Sequence, residues 1–303
     1  MIQVLCANTL CANVSFSVRQ ACSAMDVSVS GFYAHKNKAQ RVRHQEDEHI
    51  ISVMTQVFEA SGHSYGSPRL VKGLRKRGLH CGKTRVRRLM KQEGLSPKQK
   101  RRFRVQTTRS NPHLLVAPNL AALAPPPTRP GQSWKSDITS IPTREGFLYL
   151  GATLDAFSRR CAGWCARDNM ETSLVSHAAQ MAFGSSSHCD TASIHHSDRG
   201  SQYASESFRL LLESEQITQS MSRKGNCYDN AMMESFWATL KTECFDNFRE
   251  AIPETRQQAQ GMIFRYIELF YNRERFHSAL DYQSPVQFEN NWTQQHLTVQ
   301  RST

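Results

Sequence analysis

Three strand-like runs follow one another between residues 133 and 167, and helical patterns separate the strands only after them. Strands joined by short turns pair antiparallel, whereas parallel strands need a longer crossover that is usually a helix. The strand-like runs are 133–141, 147–155, 159–167, 192–197 and 217–221. The helical patterns are 171–184, 205–216, 230–247 and 254–274. This order predicts an α/β domain with a mixed five-stranded sheet flanked by helices.

Three acidic residues occupy chemically suggestive positions in this pattern. Asp137 lies inside the first strand, Asp198 follows the fourth strand before a turn at Gly200, and Glu234 opens a helix with 35 residues between it and Asp198. Phosphoryl-transfer sites use two divalent cations about 4 Å apart to hold the attacking and leaving oxygens. Mg²⁺ prefers oxygen ligands and keeps several waters, so carboxylates from separate elements suffice. The spacing therefore indicates a two-metal site.

Each acid also has a purely structural interpretation. Asp198 is an ordinary turn residue if taken alone. Glu234 suits the first turn of a helix because of the helix dipole, although Asn230 as N-cap places the capping-box position at Met233. Asp137 is the hardest to explain this way, since an unpaired Asp inside a core strand is costly.

Basic residues are concentrated in one segment. The chain has a net charge of +12 and a pI near 9.5, and residues 69–109 contain sixteen Lys or Arg against the single acid Glu93. Without that segment the chain is acidic overall. This distribution is typical of a nucleic-acid-binding module rather than of a generally basic surface.

Helical patterns in and before this segment predict a small helix-turn-helix domain. Apolar residues recur at helical spacing over 43–60, Ser67-Pro68 starts a helix that stops at Gly78, and a third helix runs from Lys83 to Gly94. Its core-facing residues are Val86, Leu89 and Met90. Its predicted DNA-facing residues are Arg85, Arg88 and Lys91. The alternative is a solvated charged face.

The flanking segments have simpler patterns. Residues 17–40 predict two short helices, either a helix-turn-helix remnant or a packing pair, and the basic, Pro-rich stretch before the sheet predicts an extended linker in which Arg101 and Arg102 lie along phosphates. The predicted domain boundaries are 1–42, 43–95, 96–131, 132–290 and 291–303, the last being a tail.

Cysteines and hydropathy argue against a secreted or membrane protein. The nine cysteines are scattered without a Cys-x-x-Cys pair, which fits a reducing cytoplasm. No apolar run approaches the length of a membrane span. The apolar start of the chain lacks the basic leader of a signal peptide.

Six sequence blocks stand out in order along the chain: 137–139, 147–160, 196–203, 220–231, 234–236 and 271–280. Together these blocks resemble the second-reading-frame transposases of bacterial insertion sequences of the IS-three family. The resemblance covers roughly residues 45–290. It implies a ribonuclease-H-like catalytic core similar to that of retroviral integrase, preceded by the helix-turn-helix domain.

The resemblance also implies an activity and its partners. Asp137, Asp198 and Glu234 would be the catalytic and metal-binding residues of a D-D-E site holding two Mg²⁺ ions, with Mn²⁺ as a substitute. The double-stranded DNA partners would be the terminal inverted repeats, which are cut and joined, and the target DNA. The implied protein partners are further copies of this chain and a first-reading-frame protein. We expect the protein in the bacterial cytoplasm, on the nucleoid when DNA-bound.

Residues around the acids are candidates for contacting DNA. Lys241 lies two helical turns after Glu234 on the same face, and Arg223 and Lys224 belong to a basic loop that opens toward the helix. An exposed lysine and a solvated loop are the plain alternatives. His196 shares a strand face with Asp198 and either assists catalysis or packs.

Two other functions remain open from the residues. A DNA-binding regulator without catalysis would use the same basic domain, and a plain nuclease would hydrolyse DNA without joining it. The presence of all three acids favours the strand-transfer enzyme over the regulator.

Overall fold

The computed structural model describes residues 17–36, 42–98, 116–185, 193–223, 227–246 and 252–300. The chain separates into two compact units. The first contains Met1–Ala60 and Leu70–Ser96, and the second contains Ser61–Arg69 and Pro97–Thr303. Of the predicted linker at 96–131, residues 99–115 lie outside the described residues.

The first unit is helical. Its helices are α1 (Val18–Ala24), α2 (Val29–Lys36), α3 (Val42–Ala60), α4 (Ser67–Lys76, whose first turn groups with the second unit) and α5 (Lys83–Gln92). Ser17 and Gln20 form a capping box that starts α1. Gly78 has a φ of 81°, a conformation that glycine adopts without strain, and it ends α4 as the sequence predicts.

Helices α3, α4 and α5 share one apolar core, which confirms the predicted amphipathic pattern. Gly73 of α4 packs closely on α3, since a Cβ atom there would lie 2.6 Å from Cγ1 of Val57. The buried apolar residues are Ile50, Met54, Val57, Phe58, Leu70, Val71, Leu74, Val86, Leu89 and Met90. The core-facing assignment of the α5 residues is therefore correct.

The second unit is built on a five-stranded sheet. Its strands are β1 (Ser133–Thr143), β2 (Gly146–Asp155), β3 (Cys161–Arg167), β4 (Ile194–Ser197) and β5 (Thr218–Met221). Their order is β3-β2-β1-β4-β5, with β1, β2 and β3 antiparallel and β4 and β5 parallel to β1. This mixed topology confirms the predicted ribonuclease-H-like sheet.

Helices cover both faces of the sheet. On one face, α6 (Thr172–Gly184) and α7 (Glu206–Ser214) pack on a cluster that includes Trp134, Val175, Phe183, Tyr203 and Phe208. Helix α6 approaches β3 so closely that a Cβ on Gly163 would lie 2.0 Å from the carbonyl oxygen of Ala178. A glycine is therefore required at that strand position.

The opposite face carries α8 (Ala231–Glu243), which follows a 3-10 turn at Cys227–Asn230, and α9 (Arg256–Phe264). The core beneath these helices is formed by Ile141, Leu148, Leu150, Leu154, Met233, Phe236, Leu240 and Ile263. This is the face on which the candidate site lies.

The C-terminal part differs from the sequence prediction in two ways. The predicted helix at 254–274 is α9 followed by a π-helical segment, Arg265–Tyr271, a wider winding that hydrophobic periodicity does not distinguish from an α-helix. The predicted tail from residue 291 is instead the second half of α10 (Pro285–Gln300), anchored where Phe288 and Trp292 contact Phe157. The helix crosses the predicted boundary because these aromatic contacts continue past it.

Among the described residues, none of the helices combines the length and the apolar character needed to cross a membrane.

Candidate active site

Asp137 lies in the middle of β1, the central strand of the sheet. Its parallel neighbour β4 pairs in a register that matches Lys135 with His196. Continued by two residues, this register brings Asp198, just beyond the end of β4, next to Asp137. The two strand acids are therefore neighbours because of strand pairing rather than because of side-chain flexibility.

Asp198 is held in a tight turn. Its Oδ1 accepts a hydrogen bond from the main-chain N of Gly200 at 2.9 Å. A Cβ on Gly200 would lie 3.0 Å from that same oxygen and 3.1 Å from Oε1 of Gln202. The small residue two positions after the acid therefore leaves room for the carboxylate.

Helix α8 is tied to β1 at Ser136 and at Asp137 itself. At its start, Nδ2 of Asn230 donates to the carbonyl oxygen of Ser136 at 3.1 Å. About two turns later, Nε1 of Trp237 donates to Oδ2 of Asp137 at 2.9 Å. Asn230 thus occupies the N-cap position, as the sequence predicts, but its side chain bridges to the strand instead of capping the helix.

Glu234 and Lys241 flank Trp237 along α8, at three residues before and four residues after it. Residues at this spacing share a helix face. Glu234 is exposed and Lys241 is half-buried. Because Trp237 touches Asp137, the shared face points Glu234 and Lys241 toward the strand acids.

The charges at this site influence one another. Burial, together with the charges of Asp198 and Glu234, raises the pKa of Asp137 to about 7 against the opposing effect of the hydrogen bonds from Ile138 N and Trp237 Nε1. Burial lowers the pKa of Lys241, and the charge of Asp137 opposes that effect. The three predicted acids therefore share one electrostatic environment, with a lysine at its edge.

The donor set fits a hard divalent cation in its chemistry. All three side chains offer carboxylate oxygens, and their mutual repulsion is what a cation relieves. Over the described ranges, however, no group of three or more His, Cys, Asp or Glu side chains is close enough to hold a metal ion in this conformation. The hydrogen bonds to Asp137 and Asp198 leave further lone pairs on the same oxygens.

His196 is packed rather than aimed at the acids. Its ring is buried, with Nδ1 2.9 Å from Oγ of Ser220 and Nε2 3.1 Å from Oγ of Ser222. Burial lowers its pKa to about 4, with help from the charge of Lys135. The contacts with Ser220 and Ser222 therefore favour the packing alternative for His196.

Two further acids at strand and helix ends have structural partners. Asp155 accepts hydrogen bonds from Gly131 N and from both Ser158 N and Oγ. Asp229 pairs with Arg223 and accepts from Nδ2 of Asn119. Arg223, a predicted DNA contact, is exposed but engaged in this ion pair, and Lys224 lies outside the described residues.

The predicted DNA-facing residues of α5 are only partly available. Arg85 pairs with Asp47 and Glu46 of α3, and Arg88 also pairs with Asp47, which keeps the pKa of that carboxyl below its ordinary value against the effect of burial. Lys91 is exposed. Sequence periodicity did not reveal these pairs because α3 is distant in sequence.

The structure adds residues that sequence reasoning missed. Arg87, like Lys91, is exposed on α5, and within the described chain it has no ion pair. Trp237 was missed at the acids, although its position three residues after Glu234 was a usable signal. Arg101 and Arg102 lie outside the described residues.

Comparison with known proteins agrees with this architecture. Two integrase core domain models match residues 127–227 and 215–285, and an HTH-like domain model matches residues 45–103. The chain is 40% identical over 273 residues to the "Insertion element IS600 uncharacterized 31 kDa protein" of Shigella sonnei, covering 90% of this chain and 98% of that protein.

Two similar relatives are named transposases. The transposase for insertion sequence element IS904 of Lactococcus lactis is 40% identical over 244 residues, covering 80% of this chain and 94% of that protein. Transposase InsF for insertion sequence IS3A of Escherichia coli is 36% identical over 277 residues, covering 91% and 94%.

The fold and the matched domains define an integrase-type polynucleotidyl transferase with a helix-turn-helix-like DNA-binding domain. More specifically, the chain belongs to the IS3 family of insertion-sequence transposases, enzymes of DNA transposition and integration. The resemblance inferred from the sequence blocks is confirmed.

Proposed function

We propose that Asp137, Asp198 and Glu234 form a D-D-E site that holds two Mg²⁺ ions, for which Mn²⁺ substitutes. The observation that carries this proposal is the hydrogen bond from Trp237 to Asp137, which directs the helix face bearing Glu234 toward two adjacent strand acids. The raised pKa of Asp137 supports it, because crowded carboxylates are stabilised by a bound cation.

The reaction is cleavage followed by strand transfer. Water attacks a phosphodiester at the end of the element, and the freed 3′-OH then attacks a second phosphodiester while the new leaving oxygen departs. Bound Mg²⁺ supplies Lewis-acid stabilisation of the phosphoryl oxygens. Lys241 binds a phosphate beside the acids, and Trp237 fixes the orientation of Asp137.

The DNA substrates are the terminal inverted repeats of the element and the target duplex. Exposed basic residues of α5, Arg87 and Lys91 together with Arg88, supply phosphate contacts. We further propose that several copies of this chain assemble on the DNA with the first-reading-frame protein of the same element, in the bacterial cytoplasm at the nucleoid.

A strand-transfer assay on labelled element ends tests this function. We expect joined products with Mg²⁺ or Mn²⁺, none in EDTA, and none with Asp198→Asn, which keeps the size of the side chain and its turn. DNA binding should be retained by the variant, because binding depends on the basic domain. Binding by both proteins with joining by neither would favour the regulator, and hydrolysis without joining would favour the nuclease.

A further inference from the structure

A buried ion pair lies at the far end of α8 from Asn230. Glu243, the last residue of the helix, receives two hydrogen bonds from Arg275, with Nε 2.7 Å from Oε2 and an Nη nitrogen 2.8 Å from Oε1. The two side chains are only 5% and 4% exposed. This is a two-point contact in which a planar guanidinium fixes the plane of the carboxylate.

Two more side chains complete the environment of Glu243. The hydroxyl of Tyr266 donates to Oε2 at 2.8 Å, and an Nη nitrogen of Arg69 lies 3.8 Å from Oε1. Burial alone raises the pKa of Glu243, but Arg275, Tyr266 and Arg69 overcome that effect, so the pKa lies below its ordinary value. Glu243 is therefore a buried anion with cationic and hydrogen-bonding partners.

Arg69 comes from a segment that groups with the catalytic unit although it lies early in the chain. In this segment, Ser61–Arg69, the hydroxyl of Tyr65 accepts from Phe276 N at 3.0 Å and Nε of Arg69 donates to Phe276 O at 3.1 Å. The rings of Tyr65 and Phe276 stack with centroids 5.4 Å apart. The segment thus binds both main-chain polar groups of the residue next to Arg275.

Packing alone does not explain a charge at this position. A carboxylate at a helix C-terminus is opposed by the helix dipole, and burying an ion pair often gives no more stability than apolar residues of similar volume. The two-point contact between Arg275 and Glu243 does provide a defined orientation, since only one arrangement of the helix and the guanidinium satisfies both hydrogen bonds.

We propose that Glu243, Arg275 and Arg69 are positioning residues that fix the rotation and axial placement of α8, and thereby the placement of Glu234 against Asp137. This inference rests on the proposed function of the three acids. Glu234 lies nine residues before Glu243, about 14 Å along the helix axis at 1.5 Å per residue. Because main-chain hydrogen bonds hold the residues of an α-helix at fixed spacing, we expect a shift at the end of α8 to displace Glu234 as well.

Paired neutral substitutions separate positioning from stability. Arg275→Met alone leaves Glu243 buried without its main partner, so we expect a lower Tm. The double variant Glu243→Gln with Arg275→Met removes that isolated charge. We therefore expect it to recover most of the decrease in Tm that Arg275→Met causes. Strand transfer in the double variant should still be reduced on the order of 10- to 100-fold, the loss typical of a displaced catalytic group.

A spectroscopic signal follows α8 without relying on activity. The indole N–H of Trp237 bonds Asp137, so its ¹H–¹⁵N resonance, assigned with Trp237→Phe, reports the contact between helix and strand. We expect this resonance to shift in the double variant relative to the unaltered protein. In the single variant Arg275→Lys we expect a smaller shift, so that the resonance lies between these two positions. The matched control is Arg160→Met with Glu289→Gln, a partly buried ion pair of the same unit.

The outcomes are distinguishable. If joining and the Trp237 resonance recover together with the Tm in the double variant, or if the control pair loses joining equally, Glu243 and Arg275 serve stability alone and the inference is overturned. If the unaltered protein fails to join DNA with Mg²⁺, the proposed function fails, whereas an unshifted Trp237 resonance refutes the positioning role independently.

Discussion

We expect Asp137→Asn to change the pH dependence of stability in the metal-free protein. The difference in the free energy of unfolding between the variant and the unaltered protein should favour the variant more at pH 8 than at pH 5. The pKa of Asp137 rises from an ordinary 3.8 to about 7 in the folded state. Between these values the folded state holds more protons than the unfolded state, so the free energy of unfolding falls as the pH rises. Below about pH 4 the penalty is absent, and above about pH 7 it is complete.

The magnitude follows from the size of the shift. About three pKa units at 1.36 kcal/mol each give a ceiling of about 4 kcal/mol. Asp137 is half-buried rather than fully buried, so solvent lowers this to about 2 kcal/mol, still a large part of a typical domain stability. Asparagine keeps the size of the side chain and an acceptor for Trp237, but it carries no charge.

Urea unfolding in EDTA at both pH values, followed by tryptophan fluorescence, measures the part of this penalty that develops above pH 5, which is about two of the three pKa units. The fluorescence reports the second unit, which contains all the tryptophans: Trp134, Trp164, Trp237 and Trp292. Asp168→Asn, at an exposed aspartate of the same unit, is the control. Adding Mg²⁺ at pH 8 should reduce the difference in stability between Asp137→Asn and the unaltered protein, since the ion binds the folded form of the unaltered protein. A gap that is equal at pH 5 and pH 8 would refute the electrostatic argument.

Four further predictions address other parts of the molecule. Trp237→Phe removes one hydrogen bond to Asp137 and should slow strand transfer on the order of 10-fold, with unchanged DNA binding. Arg87→Ala should weaken DNA binding and reduce by about one unit the slope of the logarithm of the binding constant against the logarithm of the salt concentration. Arg85→Ala should instead lower the Tm, because its acidic partners on α3 lose a cation. Gly163→Ala should destabilise by about 1–3 kcal/mol or more in urea unfolding, because the new methyl group meets a carbonyl of α6.

The strand acids were predictable because their positions depend on local patterns. Alternating strand residues and a Gly-containing turn identify Asp137 and Asp198, and the short connections from β1 to β3 predict the antiparallel half of the sheet. The contact of Trp237 with Asp137 was not predictable, since it depends on how α8 is rotated over β1. Helical spacing gives a relative face but not the direction in which that face points.

The ion pairs of the basic residues of α5 also could not be predicted, because they join residues that are distant in sequence. Periodicity placed Arg85 on the outer side of α5, but Asp47 of α3 lies within hydrogen-bonding distance of it. Nothing near Arg85 in sequence signals this partner. Charge counting therefore identifies the basic domain as a whole, while the ion pairs of its individual arginines become visible only in the packing of α3 against α5.

The three acids differ in what holds them, and this difference has a consequence for control. Asp137 and Asp198 are fixed relative to each other by main-chain pairing between β1 and β4. Only unfolding of the sheet would disturb this pairing. Glu234 is carried by a helix whose hydrogen bonds to β1 come from the side chains of Asn230 and Trp237, and which otherwise packs on the apolar core of the sheet. Side-chain contacts break at much lower cost than a sheet. We therefore expect a step that assembles the proposed site to move α8 relative to the strand acids.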